Sequence, residues 1–240
     1  MKAKSISVVL PAYNEALNIA GELGDIFNFL KDNFNEFEII VVDDGSKDQT
    51  YSICNSVKNE LGKSIRILKH GHNKGYGAAL RTGLFSAKKD LIFYTDADNQ
   101  FDISELLEFT KVIDNYDLVI GYRLGRQDAA IRKFTSAVYK LLIGIIFGLK
   151  VRDIDCSFKL FKRECLERLS IERDNFFVDT ELLLKAKLNN CKLKEIGVRH
   201  LPRKFGRSTI RFWHIFATLS DILYFWPKLK RSRYGSNKEA

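Results

Sequence analysis

Four times in its first half, the chain follows a short apolar run rich in β-branched residues with a stretch of helical spacing. The strand-like runs are SISVVL (5–10), FEIIVV (37–42), SIRILK (64–69), LIFYT (91–95) and DLVIG (117–121). Helical periodicity marks 17–31, 48–61, 76–88 and 103–114 between them. Parallel strands need such crossovers, so the pattern predicts an α/β fold with a mostly parallel sheet flanked by helices. Ligands of such sheets bind beyond the carboxyl ends of the strands. The polar segments PAYNE (11–15), DDGS (43–46) and DADNQ (96–100) all fall at strand exits, and therefore along one edge.

The second half is less regular. The spacing predicts a long helix over 129–149, strongly apolar at LLIGIIFGL (141–149), then a strand at 157–161, a helix over 179–190 and a strand at 193–200. No repeat or low-complexity linker interrupts it, so residues 1–209 are expected to form one domain whose later part shapes the acceptor side. From Phe212 onward, Ile215, Phe216, Leu219, Ile222, Leu223 and Trp226 recur on one helical face, and Pro227 ends the pattern. Lys228, Lys230, Arg231 and Arg233 follow. Residues 210–240 thus read as a C-terminal amphipathic helix with a basic tail, suited either to packing on the domain or to a membrane interface.

Charge narrows the partners. The formal net charge is +9, which favours an anionic partner. The basic residues do not build an RNA-binding motif with interleaved aromatics, so nucleic acid is not expected. Cys54, Cys156, Cys165 and Cys191 are scattered without a CxxC pair, against a zinc site or disulfide framework and in keeping with a reducing compartment. No run reaches the roughly 18 to 20 apolar residues of a membrane span, and the N-terminus enters strand-like sequence at once. A cytoplasmic protein is expected, with peripheral contact to the inner face of the membrane.

DADNQ carries the most specific chemistry. Asp96, Asp98 and Gln100 are spaced two apart after a buried strand. Oxygen ligands without His or Cys select a hard cation, Mg²⁺ or Mn²⁺, and leave positions free for water and a diphosphate. A polar turn capped by Asp102 is the plainer reading of the same residues. Asp43 and Asp44 sit before Gly45, with Ser46 or Asp48 placed to cap the next helix. A carboxylate there can accept from a nucleobase or ribose. Tyr13 offers a ring for stacking and Glu15 an acceptor. NKGYG (73–77) has two glycines before a helix but neither the GxxxxGK[ST] nor the GxGxxG spacing, which argues against a P-loop kinase or a dinucleotide-binding dehydrogenase. Lys74 stands there as a candidate contact for a diphosphate.

Taken in order and spacing, SVVLPAYNE, VVDDGSKDQT, NKGYGAALRTG, YTDADNQF and GYR resemble the family 2 inverting glycosyltransferases of the GT-A fold. The likeness is greatest to the dolichyl-phosphate mannose synthases and bacterial polyprenyl-phosphate glycosyltransferases, and it covers nearly the whole chain. It implies a Rossmann-like sheet and a nucleoside-diphosphate sugar as donor. It further implies that Pro11, Tyr13, Glu15 and Asp44 line the nucleoside pocket. Asp96, Asp98 and Gln100 would form the metal triplet, with Ala97 against the nucleotide. Arg123 in GYR would lie by the sugar diphosphate and acceptor phosphate, and Arg132 with Ser136 would clamp that phosphate from one helical face. Asp153, Ser157 and Phe158 match an Asp-x-x-x-Ser-Phe segment, Glu181 an acidic position, and Arg203, Gly206 and Ser208 an Arg-x-x-Gly-x-Ser loop with Arg207 as an extra cation.

Two acceptors fit this reading. A polyprenyl phosphate is ionised near neutral pH and needs cations rather than a base, which Arg123, Arg132, Arg203 and Arg207 supply. A saccharide hydroxyl must lose a proton, for which Asp153 or Glu181 are the candidate bases.

Overall fold

The computed structural model describes residues 5–125, 130–203, 205 and 221–225, with the side chains of 130–134 left aside. Among the described residues, seven strands form one sheet: β1 (Ile6–Ala12), β2 (Phe37–Asp43), β3 (Ile65–Lys69), β4 (Leu91–Tyr94), β5 (Leu118–Leu124), β6 (Lys159–Lys162) and β7 (Leu193–Arg199). Their order is β3-β2-β1-β4-β6-β5-β7. Every pairing is parallel except those of β6, which runs antiparallel to both β4 and β5. The mostly parallel sheet is as expected; the reversed strand in its middle carries no sequence signal.

The helices are α1 (Ile19–Asn33), α2 (Thr50–Leu61), α3 (Tyr76–Ser86), α4 (Leu106–Val112), α5 (Ala130–Phe147), α6 (Arg163–Glu167) and α7 (Val178–Leu188). They lie on both faces, so the central strands are buried on each side and read as continuous apolar runs. Alternation still sorts them. Val9, Ile40 and Val42 belong to the core shared with α3, α5 and α7, whereas Val8, Leu10, Ile39 and Val41 face α1, α2 and α4. α1 buries Ile19, Leu23, Ile26 and Leu30 at helical spacing, and with them the carboxyl of Glu22.

Pro11 is tolerated inside β1 because β4 pairs only with Ile6 to Val9, leaving Pro11 a single strand neighbour at Val42. Asp102 caps the short 3₁₀ turn before α4, its carboxylate accepting from Ser104 N at 2.9 Å. Before α2, Asp48 accepts from the N–H and hydroxyl of Thr50 at 2.9 and 2.5 Å.

Of the expected C-terminal helix, only 221–225 are described, and they are helical. Ile222 and Phe225 are buried in the core shared with α7, while Leu223, expected on the same apolar face, is exposed. The packed face is therefore set by the i, i+3 pair Ile222 and Phe225. No described helix is long and apolar enough to cross a membrane.

Candidate active site

The exits of β1, β2 and β4 meet at one edge of the sheet: Ala12 is in register with Asp43, and Val9 with Tyr94. The three polar segments predicted to converge do so here.

Asp96 and Asp98 leave β4 on successive outward positions. Asp96 accepts from Tyr76 Oη at 3.0 Å and from Ser157 Oγ at 2.6 Å, so α3 and the start of β6 aim it jointly. Asp98 is buried, accepts weakly from Gln100 N at 3.3 Å, and lies 3.5 Å from Arg203 Nη1. Burial, reinforced by the charge of Asp96, pushes the Asp98 carboxyl up to about 7 against the opposing pull of Arg203. Burial likewise raises Asp96, though its two hydrogen bonds resist. Ala97 between them is buried.

Asn99, just after the two carboxylates, takes a left-handed conformation (φ 58°) and turns the chain away from them. α1 holds it there: Asn99 Nδ2 donates to Asn18 O at 3.0 Å, and its backbone N–H donates to Glu22. Burial first, then the charges of Asp98 and Asp25, push Glu22 up to about 8. Gln100, expected to face the cation, instead turns its Nε2 to Leu201 O at 3.1 Å and fastens the segment after β7 to this turn.

Arg203 closes the mouth. Its guanidinium pairs with Glu15 and approaches Asp98, and its Nε donates to Phe205 O at 2.8 Å. Glu15 also accepts from Asn18 Nδ2 at 2.8 Å. Tyr13 is half-buried beside them. Arg207 and Ser208 lie outside the described residues.

Asp44 does different work from that expected. Its buried carboxylate accepts from Lys74 N and Gly75 N, both at 2.9 Å, and meets His70 Nδ1 at 2.6 Å. It thus anchors the 70–75 loop to β2, while the ammonium end of Lys74 is left on an exposed residue. The neighbouring Asp43 keeps one buried oxygen without a protein partner.

The glycines of NKGYG also have a reason other than phosphate approach. A Cβ on Gly75 would lie 2.2 Å from Asp174 O, and one on Gly77 2.3 Å from Arg173 O. The backbone at 173–175 presses against the start of α3, and Asp174 O caps it by accepting from Gly77 N at 2.9 Å. The amino end of α3 is therefore already satisfied by protein.

On the other flank, Arg123 is locked to Asp153, which lies at the edge of a cavity of about 100 Å³ lined also by Ser136, Tyr139, Lys140, Arg152 and Asp155. Ser136 lines this cavity; Arg132 lies on the same helix one turn earlier, its side chain outside the described set.

Behind Asp96 lies a polar cluster that sequence reasoning missed. Lys159, fully buried, donates to Asp179 Oδ1 at 2.5 Å and to the carbonyls of Ile154 and Cys156 at 3.1 and 2.5 Å; Tyr94 Oη also donates to Asp179. Glu181, the acidic position expected to serve, sits two residues on, about 200° around α7. Its two oxygens instead take the N–H groups of Glu172 and Arg173 at 2.8 and 2.9 Å, and Lys185 at 2.6 Å. Asp179, not Glu181, faces the site. A run of buried residues all round α7 gave no moment from which to tell the two apart.

The residues present fit a divalent cation. Two neighbouring carboxylates, Asp98 buried and Asp96 partly buried, are both pushed toward protonation, a cost that a bound cation would relieve. Among the described residues no three His, Cys, Asp or Glu side chains group closely enough to form a metal cage. A cation held by Asp96 and Asp98 would draw its remaining oxygens from water and a diphosphate.

Residues 7–170 match the model of glycosyl transferase family 2. The chain belongs to glycosyltransferase family 2. It is therefore an enzyme of that family. It is 28% identical over 242 residues to the human dolichyl-phosphate beta-glucosyltransferase, covering 92% of this chain and 74% of that protein. It is 30% identical over 223 residues to the undecaprenyl-phosphate 4-deoxy-4-formamido-L-arabinose transferase of Photorhabdus laumondii, covering 92% of this chain and 67% of that protein. The family 2 enzyme is thus homologous to polyprenyl-phosphate sugar transferases. Its fold matches crystal structures of Mycobacterium tuberculosis glucosyl-3-phosphoglycerate synthase. One has a TM-score of 0.69 at 21% identity over 97% of this chain and 81% of that one. A complex of that synthase with Mn²⁺, UDP and glucosyl-3-phosphoglycerate matches with a TM-score of 0.66 at 19% identity, covering 97% and 80%. The architecture is accordingly GT-A-like.

Proposed function

We propose that this family 2 enzyme transfers a sugar from a nucleoside diphosphate to a polyprenyl phosphate, with inversion at the anomeric carbon. The observation that carries the acceptor is the outer face of α5. Leu141 and Ile145 are 62% and 72% exposed, and Val138 and Leu142 are exposed beside them. This apolar patch starts at Val138, two residues beyond Ser136, which lines the cavity shared with Asp153, Lys140 and Arg152. An anionic head with a long apolar chain suits that juxtaposition: cations for the phosphate, bare leucine and isoleucine for the lipid. A saccharide has no use for the patch. The two bases it would call on, Asp153 and Glu181, are both already engaged in ion pairs.

In this reading the nucleoside lies over Pro11, Tyr13 and Glu15, and the diphosphate over Asp96 and Asp98. Mg²⁺ or Mn²⁺ held by those two carboxylates, with Gln100 nearby, would offset charge on the departing nucleoside diphosphate. Arg123, oriented by Asp153, and Arg132 on α5 hold the acceptor phosphate so that one of its oxygens attacks as the bond to the diphosphate breaks. Arg203 lies at the diphosphate's edge, and Arg207 and Ser208, outside the described residues, belong to the same segment. The enzyme would work in the cytoplasm at the inner face of the membrane.

The test pairs transfer with binding. The purified chain, Mn²⁺ and labelled sugar nucleotides are offered polyprenyl phosphate in anionic vesicles or free sugars. Transfer to the lipid is expected, together with loss of vesicle sedimentation in a Leu141→Glu/Ile145→Glu double variant whose melting temperature is unchanged. Transfer confined to free sugars overturns the proposal.

A further inference from the structure

Cys165, on α6, and Cys191, in the turn between α7 and β7, face each other with their sulfurs 2.8 Å apart. That is less than one ångström beyond a covalent S–S bond of about 2.05 Å. Nothing in the sequence pairs them: they are 26 positions apart and belong to different elements. The two thiols have unlike surroundings. Cys165 is buried among Leu166 and Leu169, whereas Cys191 packs at the rim of that core and is partly open to solvent. Arg168 Nη2 donates to the Cys191 sulfur at 3.7 Å, on the side open to solvent. Burial pushes the Cys165 thiol up, so the inner sulfur is the poorer nucleophile in the resting protein.

We propose that Cys165 and Cys191 are a reversible disulfide site, outside the transfer chemistry, with Cys191 as the attacking thiol and Cys165 as the resolving one. The Cys191 thiolate attacks one sulfur of a low-molecular-weight disulfide and expels the other as a thiolate, leaving a mixed disulfide on Cys191. Cys165 then gives up its proton to that thiolate or to water and attacks the Cys191 sulfur, expelling the second small thiol. Two protein thiols are oxidised and one small disulfide is reduced to two thiols.

The bond would close a loop holding the 172–175 backbone, which caps α3, and α7, which carries Asp179. Oxidation therefore staples the far end of the segment that supports the diphosphate side. Cys54 and Cys156 serve as internal controls: both are fully buried, and burial pushes each thiol up to about 12.

The experiment incubates the intact native chain with oxidised glutathione, quenches with an alkylating agent and maps peptides without reduction. A linked Cys165–Cys191 peptide, two hydrogens lighter than its reduced parts, is expected, with Cys54 and Cys156 alkylated only after unfolding. The melting temperature should rise by roughly 5 to 10 °C and return on reduction. Cys165→Ser should trap a lasting glutathione adduct on Cys191. If that buried variant does not fold, Cys191→Ser, at the partly open position, should show neither adduct nor melting shift. A wild-type protein that keeps glutathione on Cys191, or keeps both thiols alkylatable, overturns the assignment.

Discussion

Arg123 is gripped by both oxygens of Asp153, Nε to Oδ2 at 2.7 Å and Nη2 to Oδ1 at 2.8 Å, with the arginine side chain 13% exposed. The fork fixes the plane of the guanidinium and leaves Nη1 outside the pair. Asp153→Asn keeps the shape and removes the charge. It is expected to lower kcat/KM for polyprenyl phosphate by about 100-fold while leaving nucleotide affinity unchanged. Asp153→Ala strands a largely buried cation and should destabilise the fold by on the order of 3 kcal/mol, read by urea denaturation. Equal losses toward donor and acceptor would refute the positioning role.

Asp98→Ala removes one of the two carboxylates proposed to hold the cation. Wild-type protein is expected to melt at higher temperature with Mn²⁺ and a nucleoside diphosphate together than with either alone, since ligands that bind only the folded state stabilise it. The variant should lose that synergy and the metal-dependent turnover. Retained synergy would sink the metal role of Asp98.

Glu22 and Asp98 give stability a pH dependence of definite sign. Both carboxyls are raised in the fold, to about 8 and about 7, so between those values and their ordinary range near 4 the folded chain holds protons that the unfolded chain has lost. Stability is then fully present near pH 4 and falls as pH rises toward 8. Glu22→Gln keeps a neutral side chain in place and should flatten this slope, by at most a few kcal/mol across the window. Urea midpoints taken from pH 4.5 to 8.5 in the absence of metal should fall with rising pH, and midpoints that rise across this window would overturn the assignment.

Gly77→Ala would place a methyl 2.3 Å from Arg173 O and 2.7 Å from Asn175 O, both backbone atoms. The expected cost is about 2 to 3 kcal/mol in chemical denaturation. Gly75→Ala adds a φ of +101° to a similar clash and should cost more. A neutral Gly77→Ala would mean that the 173–175 backbone yields freely.

Periodicity and polarity together made the first half of the sheet legible. Five apolar runs and the polar words after them locate the sheet edge, because a buried strand that ends in carboxylates has few bland explanations. What escaped was set by contacts distant in sequence. The glycines at 75 and 77 resemble a phosphate loop until the 173–175 backbone is seen against them. The orientation of β6 is invisible in a run of four residues. Choosing between Asp179 and Glu181 needs the rotation of a helix that is buried all round.

The reversed strand has a consequence for how the enzyme is made. β1 to β4 lie within the first 94 residues and pair with one another, so this part of the sheet can form while the later chain is still being synthesised. Ser157, the partner of Asp96, arrives with β6, whose Lys159 pairs with Tyr94 across 65 positions. The surroundings of Asp96 are thus finished late, by a strand inserted between two others. A nascent chain passes from a half-built sheet edge to a complete family 2 fold only once that strand slots in.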